Sequence, residues 1–206
     1  RKTNQNNTWV MKLLSELLYK TGIEEVKGNI NLAITSICFD SRKVIRDSLF
    51  IATRGTTVDG HTFIDKTIEE GAVAIICEEF PDEILERITY VKVTSSSKAL
   101  GIIAANFYDN PSENWKLIGI TGTNGKTTTA TLLYLLFRGL GKKVGLLSTV
   151  KNRILGETIP STHTTPDAIA INELLAEMVS KGCNYCFMEV SSHAIHQNRI
   201  AGLAFD

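Results

Sequence analysis

Apolar positions along the chain fall into two alternating patterns, short continuous runs and stripes at helical spacing. Leu13, Leu14, Leu17 and Leu18 form the first stripe, and residues 34–39 form the first strand-type run, leading into Asp40-Ser41-Arg42. Leu49-Phe50-Ile51-Ala52 reads as a second strand, followed by a polar loop over residues 53–60. A helix is predicted over residues 62–70 and stops at Gly71. Residues 72–77 are then the unbroken apolar run expected of a parallel strand covered on both faces. Residues 88–93 repeat the strand signal, and Ser95-Ser96-Ser97 caps a helix continuing through Phe107.

The polar stretch 110–114, opened by Asn110-Pro111, stops that helix and marks the expected domain boundary. Beyond it the alternation restarts with a strand ending near Ile120. A helix follows, with Leu132, Leu133, Leu136, Phe137 and Leu140 as its apolar stripe. Residues 144–148 read as a strand. Thr165 is placed to cap the next helix, with Pro166 at its first position and Asp167 complementing the dipole, and Gly182 ends it. Residues 185–190 are a buried strand carrying Glu189 near its carboxyl end, and Ser191-Ser192-His193 follows. The predicted fold class is therefore α/β. A small unit over residues 11–110 precedes the first part of a mostly parallel sheet over 111–206, and the polar residues 1–10 before Met11 are set aside as an extension or tag remnant.

Between the strand at Ile120 and the helix after it lies Thr121-Gly122-Thr123-Asn124-Gly125-Lys126-Thr127-Thr128. A triphosphate needs donors while it reacts, and a helix start offers unpaired N–H groups and a favourable dipole. Gly122 and Gly125 let the backbone come close, Lys126 reaches the β and γ phosphates, and the Thr127 hydroxyl suits a magnesium ion accompanying ATP. The spacing departs from the common loop, which wants glycine where Ile120 stands. Glu189, at the carboxyl end of a parallel strand, is aimed at the same crevice, where it serves either magnesium or a salt bridge with Arg199.

Composition narrows the partners. Lys plus Arg equals Asp plus Glu at 22 each, which excludes a global basic field for nucleic acid or an anionic membrane surface. Small-molecule substrates, a monomer and a cytoplasmic location are expected. Cys38, Cys77, Cys183 and Cys186 suit reduced core thiols, since the CxxC of Cys183 and Cys186 has no second pair at zinc spacing.

The phosphate loop, Glu189-Val190-Ser191-Ser192-His193 and Gln197-Asn198-Arg199 together resemble the Mur ligases of peptidoglycan synthesis, and among them the ligase that adds the third residue of the peptide. Phe39-Asp40-Ser41-Arg42, Leu49-Phe50-Ile51-Ala52, Gly55 and Asp59-Gly60-His61 resemble that family's uridine-binding N-terminal domain. The resemblance implies an ATP- and Mg²⁺-dependent amide ligase adding a diamino acid, meso-diaminopimelate or lysine, to UDP-N-acetylmuramoyl-L-alanyl-D-glutamate. It implies that Phe39, Ser41, Thr56, Thr57 and Val58 meet the uridine end and that residues 122–128 hold ATP. His163, Thr164, Thr165, Ser191, Gln197 and Arg199 would line the muramoyl-peptide path, Thr127 and Glu189 would serve the metal, and Lys126, Glu189 and Arg199 would carry catalysis. Family members are more than twice as long, so the C-terminal amino-acid-binding domain is expected to lie outside these residues and the chain alone to be inactive. The phosphate loop by itself also fits a folylpolyglutamate synthase or a nucleotide-binding module without ligase chemistry.

Overall fold

A computed structural model describes residues 11–55, 58–159 and 166–206. The chain divides into two compact units, one ending at Ser96 and one running from Ser97 to Asp206. Among the described residues no helix is long and apolar enough to cross a membrane.

In the first unit, β1 (Lys12–Leu13) pairs antiparallel with β3 (Ala33–Ile34), and between them lie the single-turn helix α1 (Leu14–Leu17) and β2 (Ile23–Lys27). Then come β4 (Ser36–Cys38), β5 (Ser48–Ile51), α2 (Ile64–Glu69), β6 (Ala72–Cys77) and β7 (Thr89–Val93). The main sheet has the order β2-β7-β6-β5-β4, with β4 to β7 mutually parallel and β2 antiparallel at one edge. The unbroken apolar sequence of β6 follows from this position, since a central parallel strand is buried on both faces. Phe50, Ile75 and Tyr90 pack on one side against Ile64 and Ile68 of α2. Because β4, β5 and β6 run parallel, the segments after Cys38, Ile51 and Cys77 emerge at one edge of the sheet. Those segments hold Phe39 and Ser41, the 53–60 loop, and Glu78.

The second unit contains α3 (Ser96–Phe107), β8 (Lys116–Ile120), α4 (Lys126–Gly139), β9 (Val144–Leu147), β10 (Asn152–Ile154) and β11 (Glu157–Ile159). It ends with α5 (Ala168–Ser180), β12 (Tyr185–Glu189) and α6 (Ser192–His196). Sheet order is β11-β10-β9-β12-β8, with β12 parallel to both β8 and β9. Side chains on β12 alternate as a pleated strand requires. Phe187 packs with Ala130 and Tyr134 of α4, while Cys186 and Met188 pack with Ile171, Leu175 and Met178 of α5. Glu189, two residues beyond Phe187, therefore faces the start of α4.

Three details go beyond the sequence reading. By its contacts α3 groups with the second compact unit, which runs from Ser97. A Cβ on Gly101 would lie 2.6 Å from the Ala201 carbonyl oxygen, and Asn198 Nδ2 donates to Ser97 Oγ at 3.0 Å. Pro111 does stop the helix, but the polar stretch then folds as a 3₁₀ turn whose Ser112 hydroxyl accepts from Ala204 N. Second, the inward face of α4 is Ala130, Leu133, Tyr134 and Phe137, whereas Leu132, Leu136 and Leu140 are 60%, 56% and 65% exposed. The helix carries leucines around most of its circumference, and periodicity alone cannot choose the face. Third, Asp167 itself caps α5, accepting from Ala170 N at 2.9 Å, which leaves Pro166 outside the helix.

Candidate active site

The turn between β8 and α4 is built around Gly125, which sits at the helix cap with φ +81°, a conformation a side chain resists. Thr129 N makes the first helical bond, to Gly125 O at 2.8 Å. The N–H groups of the first turn accordingly point out of the helix with no carbonyl of their own to meet. Residues 121–125 are exposed, so the amides that open α4 are accessible to a ligand. Lys126 Nζ curls over the turn and donates to Gly122 O at 2.7 Å and Thr123 O at 3.4 Å.

Glu189 is paired in register with Ile120, which brings the carboxyl ends of β12 and β8 together. Its carboxylate is 5% exposed and accepts from Thr127 Oγ1 at 3.0 Å. Thr149, just beyond β9, adds its backbone N at 3.4 Å and its hydroxyl at 3.3 Å. Among the described residues the donors to this buried carboxylate are neutral hydroxyl and amide groups, which offset part of its desolvation and leave it poised for a cation. Thr127 and Glu189 are hard oxygen ligands of the kind magnesium prefers. Among the described residues no group of three His, Cys, Asp or Glu could hold a metal. With two oxygen ligands from the chain, an ion here would complete its coordination with phosphate oxygens and water, the usual arrangement for Mg²⁺ at a nucleotide.

In the first unit, Asp40 caps the turn carrying Ser41, accepting from Arg42 N at 3.1 Å while its carboxylate takes Arg42 Nε and Nη2 at 2.9 and 2.8 Å. The guanidinium hydrogen bonds lower its pKa from 3.8 to about 2, so the cap is ionised at any physiological pH. Val58 is exposed on the return limb of the loop after β5.

A model of the Mur ligase middle domain matches residues 120–206, and one of the Mur ligase family catalytic domain matches residues 33–108. The chain belongs to the Mur ligase family. It is 57% identical over 193 residues to the UDP-N-acetylmuramoyl-L-alanyl-D-glutamate--2,6-diaminopimelate ligase of Cytophaga hutchinsonii, a match covering 93% of this chain and 40% of that protein. 2,6-Diaminopimelate ligases of the same kind from Bacteroides fragilis and Clostridium acetobutylicum are 54% and 43% identical, covering 93% and 95% of this chain and 40% and 39% of theirs. This Mur ligase chain thus spans about two fifths of the length of those relatives. Its fold matches a solved UDP-N-acetylmuramoyl-L-alanyl-D-glutamate--2,6-diaminopimelate ligase with TM-score 0.78 at 23% identity, over 96% of this chain and 39% of that one. A MurF ligase from Thermotoga maritima, solved with ADP, matches with TM-score 0.50 at 26% identity, over 76% of this chain and 32% of that one.

Within the Mur ligase chain the sequence-derived residues are distributed unevenly. Lys126, Thr127 and Glu189 converge on one sheet edge. Ser191 follows on the same edge, its hydroxyl accepting from Ala194 N at 3.1 Å as the cap of α6. Gln197 and Arg199 are half-buried in the turns after α6, where Arg199 N bonds to Ala194 O. Thr56, Thr57, His163, Thr164 and Thr165 lie outside the described residues. Phe39, Ser41 and Val58 belong to the first unit.

Thr149 escaped the sequence reading. The signal was present, since the rule that aims Glu189 at the crevice applies equally to the first residues after β9. Ser148 holds Thr149 there by accepting from Lys151 N at 3.0 Å and donating to Lys151 O at 2.9 Å. All four cysteines are free and buried, and burial pushes Cys38 up to about 12 and Cys77 to about 11, which keeps both as thiols.

Proposed function

We propose that this chain is the uridine- and ATP-binding part of a ligase that joins 2,6-diaminopimelate to UDP-N-acetylmuramoyl-L-alanyl-D-glutamate in the cytoplasm. The supporting observation is the 3.0 Å hydrogen bond between Thr127 Oγ1 and the buried Glu189 carboxylate at the mouth of an open phosphate loop. The names of relatives as much as 57% identical supply the substrate and the amine. The ADP in the Thermotoga structure supports the nucleotide.

A carboxylate does not react with an amine at neutral pH, so the γ-phosphoryl group first passes to the side-chain carboxylate of the substrate's D-Glu. Amine attack on the acyl phosphate then forms the amide and releases phosphate. Such transfer asks the protein for positioning and charge neutralisation. The amides of the first turn of α4 hold the β and γ phosphates, and Lys126 exchanges its loop carbonyls for phosphate oxygens. Thr127 and Glu189 would hold magnesium, which when bound would neutralise charge on the transferring oxygens. Arg199 steadies the substrate carboxylate.

For the uridine end, the residues that follow the parallel strands β4 and β5 supply Phe39, Ser41 and Val58. UDP-N-acetylmuramoyl-L-alanyl-D-glutamate is expected to raise the melting temperature of the chain, since a ligand at 100 times its Kd stabilises the native state by about 2.7 kcal/mol. Ser41→Ala is expected to weaken that ligand roughly fivefold, the worth of about 1 kcal/mol for one lost hydrogen bond, with ATP affinity unchanged. An unchanged Kd for the uridine ligand in calorimetry would remove Ser41 from the site.

A further inference from the structure

The loop after β5 is closed at its base by backbone bonds from Gly60 N to Thr53 O at 2.9 Å and from Gly55 N to Val58 O at 3.0 Å, with Arg54 and Asp59 bridged across it. Beyond the base, an imidazole and the Arg54 guanidinium tie the return limb to the end of β6. Asp59 Oδ1 accepts from His61 N at 3.0 Å and lies 2.7 Å from His61 Nδ1. On the other side of the ring, His61 Nε2 is 2.9 Å from the backbone N of Glu78, directly after β6. A backbone N–H can only donate, so Nε2 carries the lone pair and Nδ1 carries the proton, which it gives to Asp59. The ring is only 14% exposed, and it ties the segment following β5 to the end of β6 at the edge that also carries Phe39 and Ser41.

The surroundings of the ring are charged. Arg54 Nε lies 3.5 Å from both Asp59 Oδ2 and Glu78 Oε2, and an Arg54 Nη2 donor meets Glu79 Oε1 at 2.8 Å. Glu78 Oε1 is occupied by Ser96 N and Ser96 Oγ, both at 2.9 Å. Asp59, Glu78, Glu79 and Arg54 are thus the charged groups around His61, and each carboxylate already has donors of its own. The single contact that protonation reverses is the one at Nε2. A proton there sets two donors, Nε2–H and the Glu78 N–H, against each other across 2.9 Å.

We propose that neutral His61 is a positioning residue for uridine binding, and that its protonation breaks the ring's tie to Glu78 N, leaving Arg54 alone to hold Asp59 to the end of β6, so that affinity for the uridine ligand falls on acidification. This inference rests on the uridine reading of the first unit. It adds a proton-controlled step to that reading and assigns a role to a residue that need not touch the ligand. The Asp59 partner strengthens the Nδ1–H bond in either state, so the switch lies with Glu78 N.

The test is calorimetric titration of the chain with UDP-N-acetylmuramoyl-L-alanyl-D-glutamate between about pH 8 and pH 5.5, for wild type, His61→Gln and His61→Ala. Loss of one acceptor for a part-buried N–H predicts several-fold, up to roughly tenfold, weaker wild-type binding at the acid end. A Gln side chain offers an amide oxygen to Glu78 N and takes up no proton, so His61→Gln is expected to bind nearly as well as wild type at pH 8 and to show a flat profile. His61→Ala binds weakly across the range, with hydrogen exchange at the Glu78 amide accelerated. A flat wild-type profile, or a His61→Gln profile as steep as wild type, overturns the inference and leaves the uridine reading standing. Failure of wild type to bind at pH 8 overturns both.

Discussion

Lys126→Ala is expected to weaken MgATP binding to the chain by roughly 10- to 100-fold, because a hydrogen bond to a charged group contributes about 1.5–3 kcal/mol. In a chain extended to the length of the relatives it is expected to abolish ATP-driven phosphate release, since the ammonium charge matters most as negative charge shifts onto the transferring oxygens. Lys126 Nζ is already folded over the loop on Gly122 O and Thr123 O. It therefore gains phosphate contacts with little new ordering of its side chain, which favours affinity. Affinity for the uridine ligand should stay within about twofold of wild type, as Lys126 is not among the residues assigned to that ligand. Retained turnover would refute the role given to Lys126.

The second large effect is expected at Glu189. Glu189→Gln keeps the shape and an oxygen that accepts from Thr127 Oγ1, yet it removes the one negative charge in a pocket otherwise supplied by threonine donors. The melting temperature without ligand should change little, because a neutral amide at a site only 5% exposed avoids the desolvation of a carboxylate while its NH2 now opposes the Thr149 N–H that Oε1 accepted from. The gain in ATP affinity on adding magnesium should shrink by about 30-fold, corresponding to ~2 kcal/mol of lost charge interaction with the ion. Calorimetry with ATP alone and with MgATP separates the two terms. A variant whose magnesium dependence matches wild type would show that Glu189 is only a structural acceptor for Thr127 and Thr149.

The sequence made visible those features that local chemistry dictates. The phosphate loop was legible because glycine at 125, lysine at 126 and threonine at 127 between an apolar run and a helix leave few other uses for that combination. Glu189 was legible because a carboxylate ending a buried parallel strand has to meet something at the sheet's carboxyl edge, and β12 does pair with β8 and β9. The features that escaped depend on tertiary choices. Leu132, Leu136 and Leu140 share helical spacing with residues that do face the sheet, and only the orientation imposed by Thr127 and Ala130 selects the inward side. Pro111 announced a helix end, and that end lies inside the second unit because Gly101 lets α3 lie close against the Ala201 backbone. Thr149 carries no motif and becomes significant only when β9 is seen beside β12. His61 is legible only as part of the Asp59-Gly60-His61 element, and its partner appears when Glu78 N is found 2.9 Å from its ring.

The most direct measurement is a crystal structure of the chain with magnesium and a non-hydrolysable ATP analogue. It should place the β and γ phosphates on the amides that open α4, with one ion about 2.1 Å from Thr127 Oγ1 and joined to Glu189 directly or through one water. A triphosphate bound elsewhere, or an ion that touches neither side chain, would contradict the account.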